Sequence, residues 1–288
     1  MLIAASFNRT MYIGDHKVEI IPDTEFRLDG GAMFGVVPRV LWERVSPPDE
    51  MNRIRMNMNC VFIDSGKEKI LIETGIGEKF TTKESEIYGV FRERPFADSL
   101  FDKTGCRPED ISIVVNTHLH FDHCGGNTIH DANGQSVPQF PNARYIVSKS
   151  EFEHANSPTE RDRASYIADN WLAVQQSGQL ELIPDVYEVI PGLTLQTNAG
   201  HNESMQTWRL DSAGQTLYGF ADLVPTRHHV GLPWIMGYDL YPMQTLEFKK
   251  RVLPQAVHEN WTCLLYHDFD TPLCKLSESK GKIVSSEL

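Results

Sequence analysis

The chain has 288 residues and a net charge of −12, from 27 basic and 39 acidic side chains. Hydrophobic residues make up 41% and charged residues 23%, the balance of a globular chain long enough to bury a sizeable core. The acidic excess argues against nucleic acid as a main partner, and no run of about 18 apolar residues offers a membrane span.

The stretch Met1–Arg9 lacks the charged, apolar and cleavage regions of a signal peptide. Five cysteines (Cys60, Cys106, Cys124, Cys263, Cys274) form no C-x-x-C pair. They read as free thiols of a reducing compartment, which predicts a cytoplasmic protein. Residues 16–22 (HKVEIIP) predict a strand. Residues 26–42 place glycine pairs between large apolar residues, which predicts a loop over a cavity. Residues 58–64 and 69–73 predict two strands joined by a Ser65-Gly66-Lys67 turn. Glu73 to Gly77 reads as a plain glycine-rich turn, since it lacks the lysine of a phosphate-binding loop. Residues 76–104 predict an irregular segment with a short helix, and Arg92-Glu93-Arg94 reads as a solvated face.

The β-branched run Ile111–Val115 predicts a buried strand, and Cys124–Asn127 a turn. Between them lies Thr117-His118-Leu119-His120-Phe121-Asp122-His123. Three imidazoles and a carboxylate thus sit where a strand ends, the place where open sheets put their chemistry. Histidine and aspartate together suit borderline metals such as zinc. Cys124 reads as a small neighbour of that cluster. Further on, residues 143–148 predict a strand, Ser150–Glu153 a helix start, and 164–178 a helix ending at Gly178. Strands follow at 180–183, 186–190, 193–197, 205–210 and 216–221, then a helix at 242–259 and a last strand at 261–266. Three of these strands also lead to ligand-type residues: His201, Asp222 and His267. Each alone reads as a structural histidine or a helix-capping aspartate. Together with the first cluster they read as one metal constellation.

The pattern H-x-H-x-D-H, followed by His, Asp and His, resembles the metallo-β-lactamase superfamily from about Cys60 to His267. The resemblance implies an α+β fold, an αβ/βα four-layer sandwich, built as a single domain over 1–288. It implies two divalent metal ions, zinc or else iron, cobalt or manganese. His118, His120 and His201 would bind the first, and Asp122, His123 and His267 the second. Asp222 would bridge them, with hydroxide as nucleophile and Asp122 or Asp222 as the catalytic proton shuttle. Asp222 stands where the main class B β-lactamases carry a cysteine, His120 where flavodiiron proteins carry a glutamate, and the tail lacks the basic cluster of a glyoxalase II thioesterase.

Asp29–Pro38 with Leu41-Trp42, Ala221–Thr226, Tyr238–Met243 and Tyr266-His267-Asp268 resemble one group of quorum-quenching N-acyl homoserine lactone lactonases. This implies a small-molecule lactone or ester substrate, no nucleic-acid or membrane partner, and a homodimer. The alternatives within the scaffold are a phosphotriesterase similar to methyl parathion hydrolase, another ester hydrolase, and after these a glyoxalase II-like thioesterase. The alternative outside it is a metal-bound protein without catalysis. Two departures stand out. Leu223–Thr226 lacks the tyrosine that many of these lactonases use to position the lactone, leaving His228 or Tyr238 to serve. Asn202–Met205 replaces a glycine-containing turn. Met33, Phe34, Trp234, Met236 and Tyr238 are the expected walls of an acyl pocket, and Trp42 is expected in the core.

Overall fold

The computed structural model describes residues 10–288, so the reading of Met1–Arg9 lies outside the described residues. Strands β1 (Met11–Ile13), β2 (His16–Asp29), β3 (Arg53–Asp64), β4 (Lys69–Ile72) and β5 (Ile113–Val115) build most of a first sheet. A side hairpin of β6 (Thr128–His130) and β7 (Ser136–Pro138) intervenes. Then β8 (Arg144–Ser148) and β9 (Leu180–Ile183) complete the order β1-β2-β3-β4-β5-β8-β9. The second sheet runs in chain order through β10 (Val186–Ile190), β11 (Leu193–Thr197), β12 (Gln206–Ser212), β13 (Gln215–Gly219), β14 (Thr262–Leu264), β15 (Leu273–Ser279) and β16 (Lys282–Glu287).

The helices are α1 (Gly30–Phe34), α2 (Arg39–Trp42), α3 (Thr82–Tyr88), α4 (Phe96–Thr104), α5 (Phe121–Cys124), α6 (Lys149–Asn156), α7 (Leu172–Gln176) and α8 (Pro242–His258). Helix α4 packs on β2, α6 on β8 and β9, and α8 on β15 and β16. Val61, Ile72 and Val115 of the first sheet share one buried cluster with Leu195, Leu217 and Leu264 of the second. Each such side chain, fully buried, contributes about 1.5–3 kcal/mol. The result is the α+β sandwich that the alternation of strands and helices implies.

Two hydrogen-bonded links between the sheets bring the ligand-bearing segments together. The Asn59 amide and its side-chain Nδ2 both donate to the Tyr266 carbonyl at 2.9 Å, tying β3 to the segment after β14. The Gln206 amide donates to the Thr117 carbonyl at 2.9 Å, tying β12 to the segment after β5. The parallel pairs β4–β5 and β13–β14 send their C-terminal ends the same way, which gathers the strand-end residues at one edge.

Four local expectations are corrected. Residues 26–42 are not a loop: Phe26–Asp29 extends β2, and α1 and α2 follow. Asp29 Oδ1 caps α1 by accepting the Ala32 amide at 2.8 Å, and a Cβ on Gly30 would lie 2.5 Å from the Trp42 ring. The glycine serves close packing there. Residues 164–178 form two 3-10 turns and the short α7, because Tyr166 is drawn into an extended bridge with His120. Two more strands, β15 and β16, follow the strand expected to be last. Arg92 is no solvated residue: its Nη1 pairs at 2.8 Å with the buried Asp23, whose Oδ2 accepts the Ile76 amide of the glycine-rich turn. Burial raises the Asp23 carboxyl, and Arg92 opposes it.

Candidate metal centre

Strand β5 ends at Val115, and the chain then delivers His118 and His120 before α5 turns Asp122 and His123 inward. The glycine-rich turn supports this loop from behind. The Thr74 amide donates to the His123 carbonyl at 2.9 Å, and the Gly126 amide to the Gly75 carbonyl at 3.2 Å. A Cβ on Gly125 would sit 1.9 Å from the Ile76 carbonyl oxygen, so only glycine fits that approach. His201 follows β11, Asp222 follows β13, and His267 follows β14, all of them buried.

The ligand atoms fall into groups whose members lie within 4.8 Å of one another: His118, His120 and His201; Asp122, His123 and His267; and Glu73, His118 and His123. His201 Nε2 stands 3.0 Å from His120 Nδ1. Asp222 divides its oxygens between the groups. Its Oδ2 faces His201 Nε2 at 3.4 Å and His118 Nε2 at 4.0 Å. Its Oδ1 faces His267 Nε2 at 3.1 Å and His123 Nε2 at 3.3 Å. Asp122 Oδ2 lies 3.7 Å from His267 Nε2.

Four of the five rings have a partner on their far side. Thr117 Oγ1 meets His118 Nδ1 at 3.0 Å, and Asp239 Oδ1 meets His201 Nδ1 at 3.1 Å. The Asn57 carbonyl meets His267 Nδ1 at 3.0 Å, and Glu73 Oε1 lies 3.5 Å from His123 Nδ1. Glu73 also accepts the Thr117 amide at 3.1 Å. These contacts orient the rings of His118, His123, His201 and His267, the usual arrangement behind metal-binding histidines.

Burial and the neighbouring imidazoles hold His118 and His120 well below the ordinary histidine value, so both are neutral lone-pair donors. Burial also opposes charge on His123, but Asp222, Asp122 and Glu73 outweigh it and raise that ring well above its usual value. Burial would raise Asp222, yet His267, His123 and His201 hold it well below the carboxylate range. The residues fit a cation. Among the described residues His118 Nε2, His123 Nε2 and Asp222 Oδ1 are buried with no hydrogen-bond partner, which folded chains rarely tolerate without an ion or water.

The cluster opens into a cleft of about 420 Å³. Met33, Met236 and Tyr238 line it beside His120, Asp122, His201, Asp222 and His267. Phe34 does not reach it. As the next residue of α1 it turns about 100° away from Met33 and is buried, stacked on His229 and Trp42. Trp234 also stands apart, edge-on to Phe34, on a cavity of about 990 Å³ between α8 and β16 that none of the clustered ligands lines. Lys249 holds that loop outward: its buried Nζ donates to the carbonyls of Gly231, Leu232 and Trp234. His228 lines a cavity of about 190 Å³ that shares only His267 with the cleft. Trp42 is buried in the core, and Cys124 Sγ bonds the Leu119 carbonyl at 3.3 Å rather than joining the ligands.

Sequence reasoning missed Glu73, Asp239 and the cleft residues Leu28, Tyr88 and Arg161. Glu73 had a signal, since it too ends an apolar strand. Asp239 lies within the lactonase-like segment Tyr238–Met243, but nothing local marks it as a partner of His201. Arg161 had no signal: it reaches the cleft through a loop and donates Nη2 to the Gly237 carbonyl at 2.6 Å.

The sequence profile of the metallo-beta-lactamase superfamily matches residues 54–242. The chain belongs to the metallo-beta-lactamase superfamily. It is a metal-dependent hydrolase. Among its relatives, an N-acyl homoserine lactonase of Bacillus cereus is 25% identical over 194 residues, covering 60% of this chain and 70% of that one. The lactonase AttM of Agrobacterium fabrum is 41% identical over 172 residues, covering 58% of this chain and 61% of that one. In structure, a probable metal-dependent hydrolase from Staphylococcus aureus superposes with a TM-score of 0.87 at 30% identity, over 96% of this chain and 99% of that one. AidC, a dizinc quorum-quenching lactonase solved with the product N-hexanoyl-L-homoserine, superposes with a TM-score of 0.77 over 97% of each chain. At 18% identity that likeness is one of fold.

Proposed function

We propose that this hydrolase opens the lactone ring of N-acyl homoserine lactones with two divalent ions, zinc in the first instance. The observation that carries the two-ion reading is the divided carboxylate of Asp222, with one oxygen toward His118 and His201 and the other toward His123 and His267. The relatives named as lactonases support the substrate class. His118, His120 and His201 would hold one ion and Asp122, His123 and His267 the other, with Asp222 within reach of both groups. Bound there, such ions polarise a carbonyl and bring a water's pKa toward neutrality.

The remaining work falls to the chain. Asp122 lines the cleft beside the reacting centre, where it would take the proton released by the attacking water and pass it to the departing alkoxide. Leu28, Met33, Phe121 and Met236 receive the acyl chain. Tyr238 supplies the donor that Leu223–Thr226 lacks. Its phenol is pushed up to about 12 by burial and by Asp29, Tyr88 and Asp122, so it stays protonated and can donate to a substrate oxygen.

The test is proton release at constant pH from short- and long-chain homoserine lactones, a thioester and a phosphotriester, each with and without chelator. Chelator-sensitive acid release from the homoserine lactones above all others is the expected result. Release confined to the phosphotriester or thioester would discard the lactonase reading and keep the metal centre.

A further inference from the structure

We infer that Glu151 is the positioning residue that sets the His118–His120–His201 trio. The inference rests on reading that trio as the ligands of one ion. Glu151 sits in the first turn of α6, three residues after the N-cap Ser148, whose side chain accepts the Glu151 amide at 3.1 Å. In a capping box the glutamate would turn back on the N-cap amide. This carboxylate is instead fully buried and turned away from its own helix.

Its two oxygens accept four bonds, with two separate ligand loops among the donors. Oε1 takes the Leu119 amide at 2.8 Å, the residue between His118 and His120, and the Tyr166 hydroxyl at 3.1 Å. Oε2 takes Asn202 Nδ2 at 2.9 Å and Ser204 Oγ at 2.5 Å, just beyond His201. Asn202 in turn accepts the amides of Ser204 and Met205, so it shapes that turn. Asn202 Nδ2 also donates to the Tyr166 hydroxyl at 3.0 Å, and the Tyr166 ring meets the His120 ring edge-on at 4.7 Å. One buried carboxylate therefore fixes the backbone on both sides of the gap that the three imidazoles must span. The Leu119 backbone N–H and the Asn202 Nδ2 can only donate, so the site calls for an acceptor on each oxygen. Glutamine would place its NH₂ against one of these donors in either orientation.

The test measures Zn²⁺ affinity and stoichiometry by competition with a chromophoric chelator, for the full-length wild type and Glu151→Gln. The expected result is an affinity weaker by about 10–100-fold for one equivalent, with the other within about threefold. The same loss should appear in a His267→Ala background, where the trio alone remains intact. A Co²⁺-loaded sample should show a changed ligand-field spectrum for that equivalent only. If Glu151→Gln does not fold, Tyr166→Phe and Ser204→Ala carry the test, each weakening the same equivalent severalfold. Unchanged affinity for both equivalents, or an equal loss of both in folded protein, overturns the inference. A wild type that takes up one equivalent brings down the two-ion reading, and weakening of that equivalent by Glu151→Gln still supports this one. Absence of lactone turnover bears on the substrate reading alone.

Discussion

The two halves of the metal centre are held by different means. Behind His118 and His201 stand side chains: the adjacent Thr117, and from further along the chain Asp239 and the Glu151 network. Behind His267 stands the Asn57 backbone carbonyl, and behind His123 the buried Glu73. A side-chain anchor can be removed by one codon. A carbonyl anchor stays in place whatever residue carries it. The first half and the His123 corner are therefore open to tuning by substitution, whereas the His267 corner is fixed by the path of β3.

That contrast can be broken or sharpened experimentally. Asp222→Ala acts on both halves and should lower kcat/KM on the order of 10³-fold or more, with loss of metal content measured on the same sample. Asp239→Ala and Glu73→Ala should each weaken one equivalent by about 10–100-fold, and the two should weaken different equivalents in a chelator titration. Loss of the same equivalent in both variants would erase the distinction between halves. Tyr238→Phe should raise KM by roughly fivefold, the loss of one hydrogen bond to substrate, with metal content unchanged. Asn57→Ala keeps the carbonyl and should leave both affinities within about twofold. A larger drop would show that the side chain, and not the backbone, supports His267.

Much of the ligand set was legible because each member follows an apolar strand and because strands that run parallel bring their ends to one edge. His118, His201, Asp222 and His267 all carry that local signature. Most of the partners behind them carry none. Glu151 looks like an ordinary helix-start residue, and only the folded chain turns it toward Leu119 and Asn202. Tyr166 sits in a stretch that reads as helix, and long-range hydrogen bonds to Glu151 and Asn202 override that local preference. Phe34 and Met33 are adjacent in sequence yet serve core and cleft, because a helix sends neighbours to different faces. Lys249 lies in the helix expected at 242–259, and nothing local marks it as the buried residue that meets three carbonyls of the loop before Met236.

The Asn57–His267 contact joins positions 210 residues apart. Domains fold as units, so a contact of that span closes only when nearly the whole chain is present. The trio at 118, 120 and 201 also rests on later residues, since Asp239 anchors His201. The full ligand set is therefore assembled only when β14 has docked against β13 and brought His267 beneath β3. A chain cut short before β14 would lack His267 and with it that corner of the site.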